Sequence, residues 1–231
     1  MSQDDAKNAA SLKALEFVED GMRLGLGTGS TAAHFIEHLI EKCNQGLKIE
    51  AAATSRSSEK MAREGGVPML DMATLTSLDL TIDGADEIDP EGRLVKGAGG
   101  ALIREKIIAT MSLEMIVIAD ETKLVTHLGM KHRLPLEVIP FAAKSTEKQL
   151  LEKGYPGTWR KNERDEIYIT DNGNWILDIA LPDDLDSPER SHLEMIQIPG
   201  VVDTGFFFDL ASRIIIGKED GSVAMQTKRG E

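Results

Sequence analysis

Three glycine-bearing clusters, each placed directly after a short apolar run, constrain this chain more than any other feature. Gly25-Leu26-Gly27-Thr28-Gly29-Ser30-Thr31 lies at the end of the run Met22–Leu26. Asp83-Gly84-Ala85-Asp86-Glu87 follows Leu78–Ile82, and Lys96-Gly97-Ala98-Gly99-Gly100 follows Leu94-Val95. Behind the first cluster Ala32, Phe35, Ile36, Leu39, Ile40 and Cys43 recur at three- and four-residue spacing, the mark of an amphipathic helix. Behind the third, Ala101 to Met111 reads as another helix. Further strands are expected at Lys48–Ala53, Val67–Leu70 and Met115–Ala119, with a helix over Glu59–Glu64 capped by Ser57 or Ser58. Strand, glycine turn and helix in repetition predict an α/β fold, an open and mainly parallel sheet flanked by helices. Ligands of such sheets bind at the carboxyl ends of strands, which is where this reading puts all three clusters.

After about Met130 the texture changes. A proline-bounded strand spans Leu134–Val138, a helix is expected over Thr146–Lys153, and Ile167–Thr170 with Trp175–Ile179 reads as a hairpin around Asn172-Gly173. A helix over Ser187–Ile196 and a strand at Val201-Val202 follow, and Arg213–Gly217 with Ser222–Gln226 reads as a closing hairpin. The predicted organisation is a catalytic α/β domain of residues 1–129 plus 203–231, interrupted by a smaller α+β domain of residues 130–202.

The chain of 231 residues carries 26 Lys+Arg against 39 Asp+Glu, a net charge of −13. Such a balance repels a phosphate backbone and excludes nucleic acid as a partner. Aromatic residues make up 4%, so the core must rest on aliphatic side chains and methionine. One cysteine, Cys43, leaves no disulfide framework or multi-cysteine zinc site and reads as a small buried hydrophobe. No apolar run reaches the roughly 18 residues of a membrane span, and Met1–Ala10 lacks a signal-peptide pattern. The expectation is a soluble, cytoplasmic, metal-independent protein.

Each cluster suits a particular chemistry. Glycines let the backbone at Gly27–Thr31 approach a ligand closely, its N–H groups and the following helix dipole favour an anion, and Ser30 and Thr31 add hydroxyls. Neither a Walker motif nor a full dinucleotide fingerprint is present, so one phosphate fits better than a nucleotide. The plainer alternative is a tight turn with a capping hydroxyl. Asp83, Asp86 and Glu87 suit a magnesium site, sugar-hydroxyl recognition or merely a solvated acidic loop. Lys96 and Glu105 form an acid–base pair, the carboxylate as general base and the ammonium stabilising an oxyanion, unless Arg104-Glu105-Lys106 are only solvated charges. Lys123 and Lys7 are further candidate cations for a phosphate. His34 and His38 have i, i+4 spacing without a third ligand and are expected to face solvent.

These clusters together, with Ala119-Asp120 and Lys123, Leu134–Val138, Thr170–Asn174 and Ile198–Val202, resemble ribose-5-phosphate isomerases of the A type over nearly the whole chain. The resemblance implies that Glu105 moves a proton between C1 and C2 of the sugar, with Asp83, Asp86 and Lys96 lining the reacting hydroxyls. It implies a substrate site completed by Thr28, Gly29, Ser30, Thr31, Gly84, Ala85, Gly97, Ala98 and Gly99 with Lys123 and Lys7. It further implies no cofactor, no metal, a sugar-phosphate substrate without nucleic acid or membrane, and a homodimer or homotetramer. Ala98 stands where the family often has glycine, a minor change if its φ is negative. The Thr54–Ser58 turn departs from the family pattern, and no role is transferred to it. A non-catalytic sugar-phosphate sensor, a coenzyme A transferase and a deaminase remain the alternatives.

Overall fold

The computed structural model describes residues 2–182, 185 and 187–227, so Met1 and 228–231, at the ends of the predicted domain ranges, and 183, 184 and 186 lie outside the described residues. The chain forms two compact units: Met1–Ala85 with Arg104–Lys123 and Asp209–Glu231, and Asp86–Ile103 with Leu124–Phe208. The division differs from the predicted boundaries at 130 and 202. Strands Glu87–Ile88 (β4) and Leu94–Val95 (β5) pair with each other, and β5 pairs with Phe206–Phe207 (β11), which draws 86–103 into the second unit.

In the first unit, α1 (Gln3–Leu15), β1 (Arg23–Leu26), α2 (Ser30–Asn44), β2 (Glu50–Ala53), α3 (Arg56–Glu64) and β3 (Leu78–Asp83) follow in sequence. The chain returns to this unit within α4 (Leu102–Met111) and continues with β6 (Ser112–Asp120), β12 (Arg213–Gly217) and β13 (Val223–Thr227). The six strands form one sheet in the order β13-β12-β6-β3-β1-β2, parallel except for the antiparallel edge strand β13. Central strands covered on both faces read as continuous apolar runs. Leu24, Leu26, Leu80, Ile82, Ile116, Ile118 and Ile215 form the core with Phe35, Ile36 and Leu39 of α2 and Ala10 and Ala14 of α1. Burying each large aliphatic side chain contributes about 1.5–3 kcal/mol.

The second unit is an α+β body. Its main sheet is antiparallel, ordered β10 (Val201–Thr204), β7 (Leu134–Val138), β9 (Trp175–Ile179), β8 (Gly157–Trp159), with helices α5 (Ala143–Glu152) and α6 (Pro188–Ile196). Leu134, Leu136, Val138, Leu150, Leu177, Ile179, Met195 and Phe206 fill its core.

Several local expectations change. Val67–Leu70 contributes only an isolated bridge, Ala51 to Met69, because Pro68 has no N–H for a ladder. The cap of α3 is Ser55, whose hydroxyl accepts from the Ser58 N–H, two or three residues earlier than Ser57 or Ser58. Ile167–Thr170 makes isolated bridges rather than a strand. Thr170 and the loop after it turn inward instead: Glu137 Oε1 accepts from Thr170 Oγ1 and from the amides of Asn172 and Asn174 at 2.9–3.0 Å. Strand β5 lies in the separate three-stranded antiparallel sheet, so the third glycine cluster does not end a strand of the parallel sheet. His34 and His38 face α1 rather than solvent, His34 against Asp4 (3.0 Å) and His38 against Asn8 (2.6 Å). Cys43 is half-buried against the core, and burial pushes its thiol pKa up.

Asp120, buried at the end of β6, ties the start of α1 to the sheet. Its carboxylate accepts from the Thr122 N–H (3.0 Å), the Thr122 hydroxyl and Gln3 Nε2 (3.2 Å). Burial alone would raise its pKa, but the Thr122 and Gln3 hydrogen bonds and the nearby Lys123 hold it below the usual range. A depressed folded-state pKa gives stability that is present above the unfolded value of about 3.9 and lost as pH falls through the folded value. Asp120→Ala should therefore cost about 1–3 kcal/mol in urea unfolding at neutral pH. The gap to wild type should close below about pH 4; a gap independent of pH would contradict the assignment.

Candidate active site

The first glycine cluster works because of a contact that only glycine permits. Strands β1 and β3 are neighbours, with Leu26 opposite Ile82, so Gly27 passes directly beside Asp83. A Cβ on Gly27 would overlap the Asp83 carboxylate. With no side chain there, the backbone wraps that carboxylate: Asp83 Oδ1 accepts from the Thr28 N–H (3.1 Å) and the Gly84 N–H (2.7 Å). Asp83 is fully buried. Gly29 then takes φ +110°, a conformation L side chains rarely adopt, and caps α2 so that Ser30 and Thr31 form its first turn. Gly29 and Ser30 are exposed, which leaves the N-terminus of α2 facing solvent for an anion.

Two supports of this loop escaped the sequence reading. The Thr28 hydroxyl lies 2.6 Å from that of Thr54 and 2.8 Å from that of Ser55, and Ser58 donates to the Gly27 carbonyl at 2.7 Å. The Thr54–Ser58 turn, to which no role was transferred, thus props the anion loop from below. Ser11, wholly buried, places its hydroxyl within 2.8 Å of the Lys7 carbonyl and 3.0 Å of the Thr31 carbonyl. It joins the turn carrying Lys7 to the start of α2. Only a run of small hydroxyl residues signals these supports, and such runs are common in turns. Lys123 is half-buried in a 3-10 turn, Glu121–Lys123, that follows β6 in the same unit.

Glu105 belongs to the first unit as well. It sits in the first turns of α4 with 4% exposure, so it is not one of three solvated charges. Keeping a carboxylate out of water is costly and calls for a compensating role.

Asp86, Lys96, Gly97, Ala98 and Gly99 belong to the second unit. Lys96 is 2% exposed, with its ammonium 5.5 Å from the centre of the Phe207 ring and its N–H on the Gly205 carbonyl at 2.8 Å. Asp86 is half-buried; its N–H donates to the Val95 carbonyl (2.9 Å) and its Oδ2 accepts the Ala98 N–H (2.8 Å). Ala98 is absent from the positive-φ residues, so the departure from glycine carries no strain there. Glu87 separates from its two acidic neighbours: wholly buried, it accepts the N–H groups of Gly129, Lys131 and His132 at 2.5–2.7 Å and organises a loop. Among the described residues, no group of three or more His, Cys, Asp and Glu is arranged to hold a metal ion, and no helix is long and apolar enough to cross a membrane.

Comparison with known proteins gives the family. The family described as ribose 5-phosphate isomerase A (phosphoriboisomerase A) matches residues 50–221. Ribose-5-phosphate isomerase A of Protochlamydia amoebophila is 52% identical over 216 residues, covering 94% of this chain and 93% of that protein. The Bacillus mycoides protein of the same name is 46% identical, covering 93% and 96%. Among solved structures, ribose 5-phosphate isomerase from Plasmodium falciparum superimposes with a TM-score of 0.94 at 36% identity, over 98% of this chain and all of that one. A D-ribose-5-phosphate isomerase in complex with phospho-erythronic acid gives a TM-score of 0.93 at 38% identity, over 99% and 100%. The chain belongs to the ribose-5-phosphate isomerase A family.

Proposed function

We infer that this chain interconverts D-ribose 5-phosphate and D-ribulose 5-phosphate, and we propose that Glu105 carries the proton. The observation that supports this most is burial of the charged groups: Asp83, Lys96 and Glu105 are 0%, 2% and 4% exposed. Solvated surface charges would not be withdrawn from water in this way.

The chemistry follows from the open-chain aldose. The proton on C2 is weakly acidic because it lies alpha to the C1 carbonyl. The Glu105 carboxylate removes it, and the C1 oxygen gains negative charge as the enediolate forms. Lys96 supplies the positive charge that stabilises that oxygen. Asp83 and Asp86 bind and relay protons among the reacting hydroxyls. Protonated Glu105 then delivers the proton to C1 while the proton of the C2 hydroxyl passes to the C1 oxygen, giving the ketose. Every proton and electron pair is conserved within the substrate, Glu105 and the relaying aspartates, so the reaction closes without a redox partner. The phosphate is assigned to the N–H groups and hydroxyls of Thr28–Thr31 with Lys7 and Lys123, and Gly84, Ala85, Gly97, Ala98 and Gly99 let the backbone approach the sugar.

We also propose a homodimer or homotetramer acting in the cytoplasm. Large apolar side chains of the second unit stand in solvent, among them Phe141 at 87%, Ile169 at 64% and Leu151 at 59% exposure, which is the kind of surface a second copy covers.

Glu105→Gln should lower turnover by about 100-fold or more while leaving affinity for ribose 5-phosphate within a few-fold. Ketose formation in the presence of EDTA together with calorimetric binding measures both; near-normal turnover would remove Glu105 from its role. Gly29→Ala should leave kcat nearly unchanged and raise KM, since strain of about 1–3 kcal/mol falls on the phosphate loop. Equal loss in kcat would relocate the phosphate. Light scattering should give a mass at least twice the 25.2 kDa of one chain, and a monomer would contradict the assembly.

A further inference from the structure

We propose that Arg160 is a positioning residue for the isomerisation. Anchored on Asp178, it fixes the peptide planes of Gly97 and Ala98, and through them the carboxylate of Asp86. The inference rests on the isomerase reading above and adds Arg160 and Asp178, to which that reading gives no role.

Arg160 follows β8, and Asp178 lies on the neighbouring strand β9, opposite Thr158. The two side chains form a bidentate pair, Nε to Oδ2 at 2.9 Å and the second guanidinium nitrogen to Oδ1 at 2.5 Å, with only 17% and 19% of the side chains exposed. That fork sets the plane of the guanidinium. Its remaining nitrogen donates to two successive carbonyls, Gly97 at 2.9 Å and Ala98 at 2.8 Å. The hydroxyl of Tyr168 lies 3.3 Å from the next carbonyl, that of Gly99, and the Tyr168 N–H donates to the Arg160 carbonyl at 2.9 Å. Three consecutive carbonyls of the loop after Lys96 are therefore held by side chains of one short segment.

The consequence comes from peptide geometry. A peptide unit is planar and trans, so the C=O of Gly97 and the N–H of Ala98 belong to one rigid plane and point in opposite directions. Gripping that carbonyl aims the Ala98 N–H, and this N–H is the donor to Asp86 Oδ2 at 2.8 Å. Arg160 thus reaches Asp86 through a single rigid plane without touching substrate. Lysine cannot replace it, because an ammonium lacks the planar fork that holds a carboxylate on one side and two carbonyls on the other.

Removing the grip should misalign Asp86 and the Lys96 loop, which act on the reacting hydroxyls, more than the phosphate site in the Gly27–Thr31 loop. Steady-state kinetics on full-length Arg160→Met, Arg160→Lys and Asp178→Asn test this, together with amide exchange at Ala98. Arg160→Met should lower kcat about 10- to 100-fold with KM within about threefold, the scale expected for a misplaced catalytic group. Arg160→Lys should fail to restore kcat, Asp178→Asn should show a smaller loss, and the Ala98 amide should exchange faster in all three. A folded Arg160→Met with kcat within about twofold of wild type overturns the role, as does a rise confined to KM. If Arg160→Met does not fold, Asp178→Asn decides: unchanged kcat, or failure to fold as well, makes the pair a fold element and overturns the inference. Wild-type protein that forms no ketose from ribose 5-phosphate would instead overturn the isomerase reading.

Discussion

The first unit is organised around one close approach, the passage of Gly27 beside the carboxylate of Asp83. Neighbouring parallel strands place those two residues together, and the missing Cβ lets the backbone N–H groups of Thr28 and Gly84 take the carboxylate oxygen. From that point the chain must turn sharply, which Gly29 permits, and α2 starts with its N–H groups presented to solvent. A larger residue at 27 would remove the carboxylate from its seat and the anion loop from its register together. The seat of the acid and the proposed phosphate cradle both depend on the same glycine.

This arrangement also reconciles a chain of net charge −13 with an anionic substrate. In the proposed reading a phosphate ester is bound locally, by backbone dipoles at a helix N-terminus and a few lysines, over distances short compared with the reach of the surface charge. Asp83 and Glu105 are held out of water, whereas Glu87 and Asp120 spend their charge on backbone N–H groups and hydroxyls that fix loops.

Much of this was legible in the residues. The strand–glycine–helix order is a local pattern and it located β1 and α2, while short apolar runs located β3 and β6. The three motifs also carried the family. What could not be read were outcomes of tertiary pairing. Leu94-Val95 has the composition of any short buried strand, yet its partner, Phe206-Phe207, is more than a hundred residues away and places it in a separate sheet. Ile167–Thr170 has strand propensity, but Glu137 draws the following loop inward, and no local rule anticipates that. Thr54, Ser55 and Ser58 read as an ordinary turn because their role depends on Thr28, which is distant in sequence. Arg160 shows the same limit, as its meaning lies wholly in the carbonyls it reaches.

Diffraction from crystals equilibrated with ribose 5-phosphate tests the central claim most directly. The account predicts phosphate oxygens on the N–H groups at Gly29–Thr31 and the C1–C2 pair about 3–3.5 Å from the Glu105 carboxylate, as a near-attack geometry requires. Phosphate seated elsewhere, or a sugar whose C1 and C2 face away from Glu105, would contradict it.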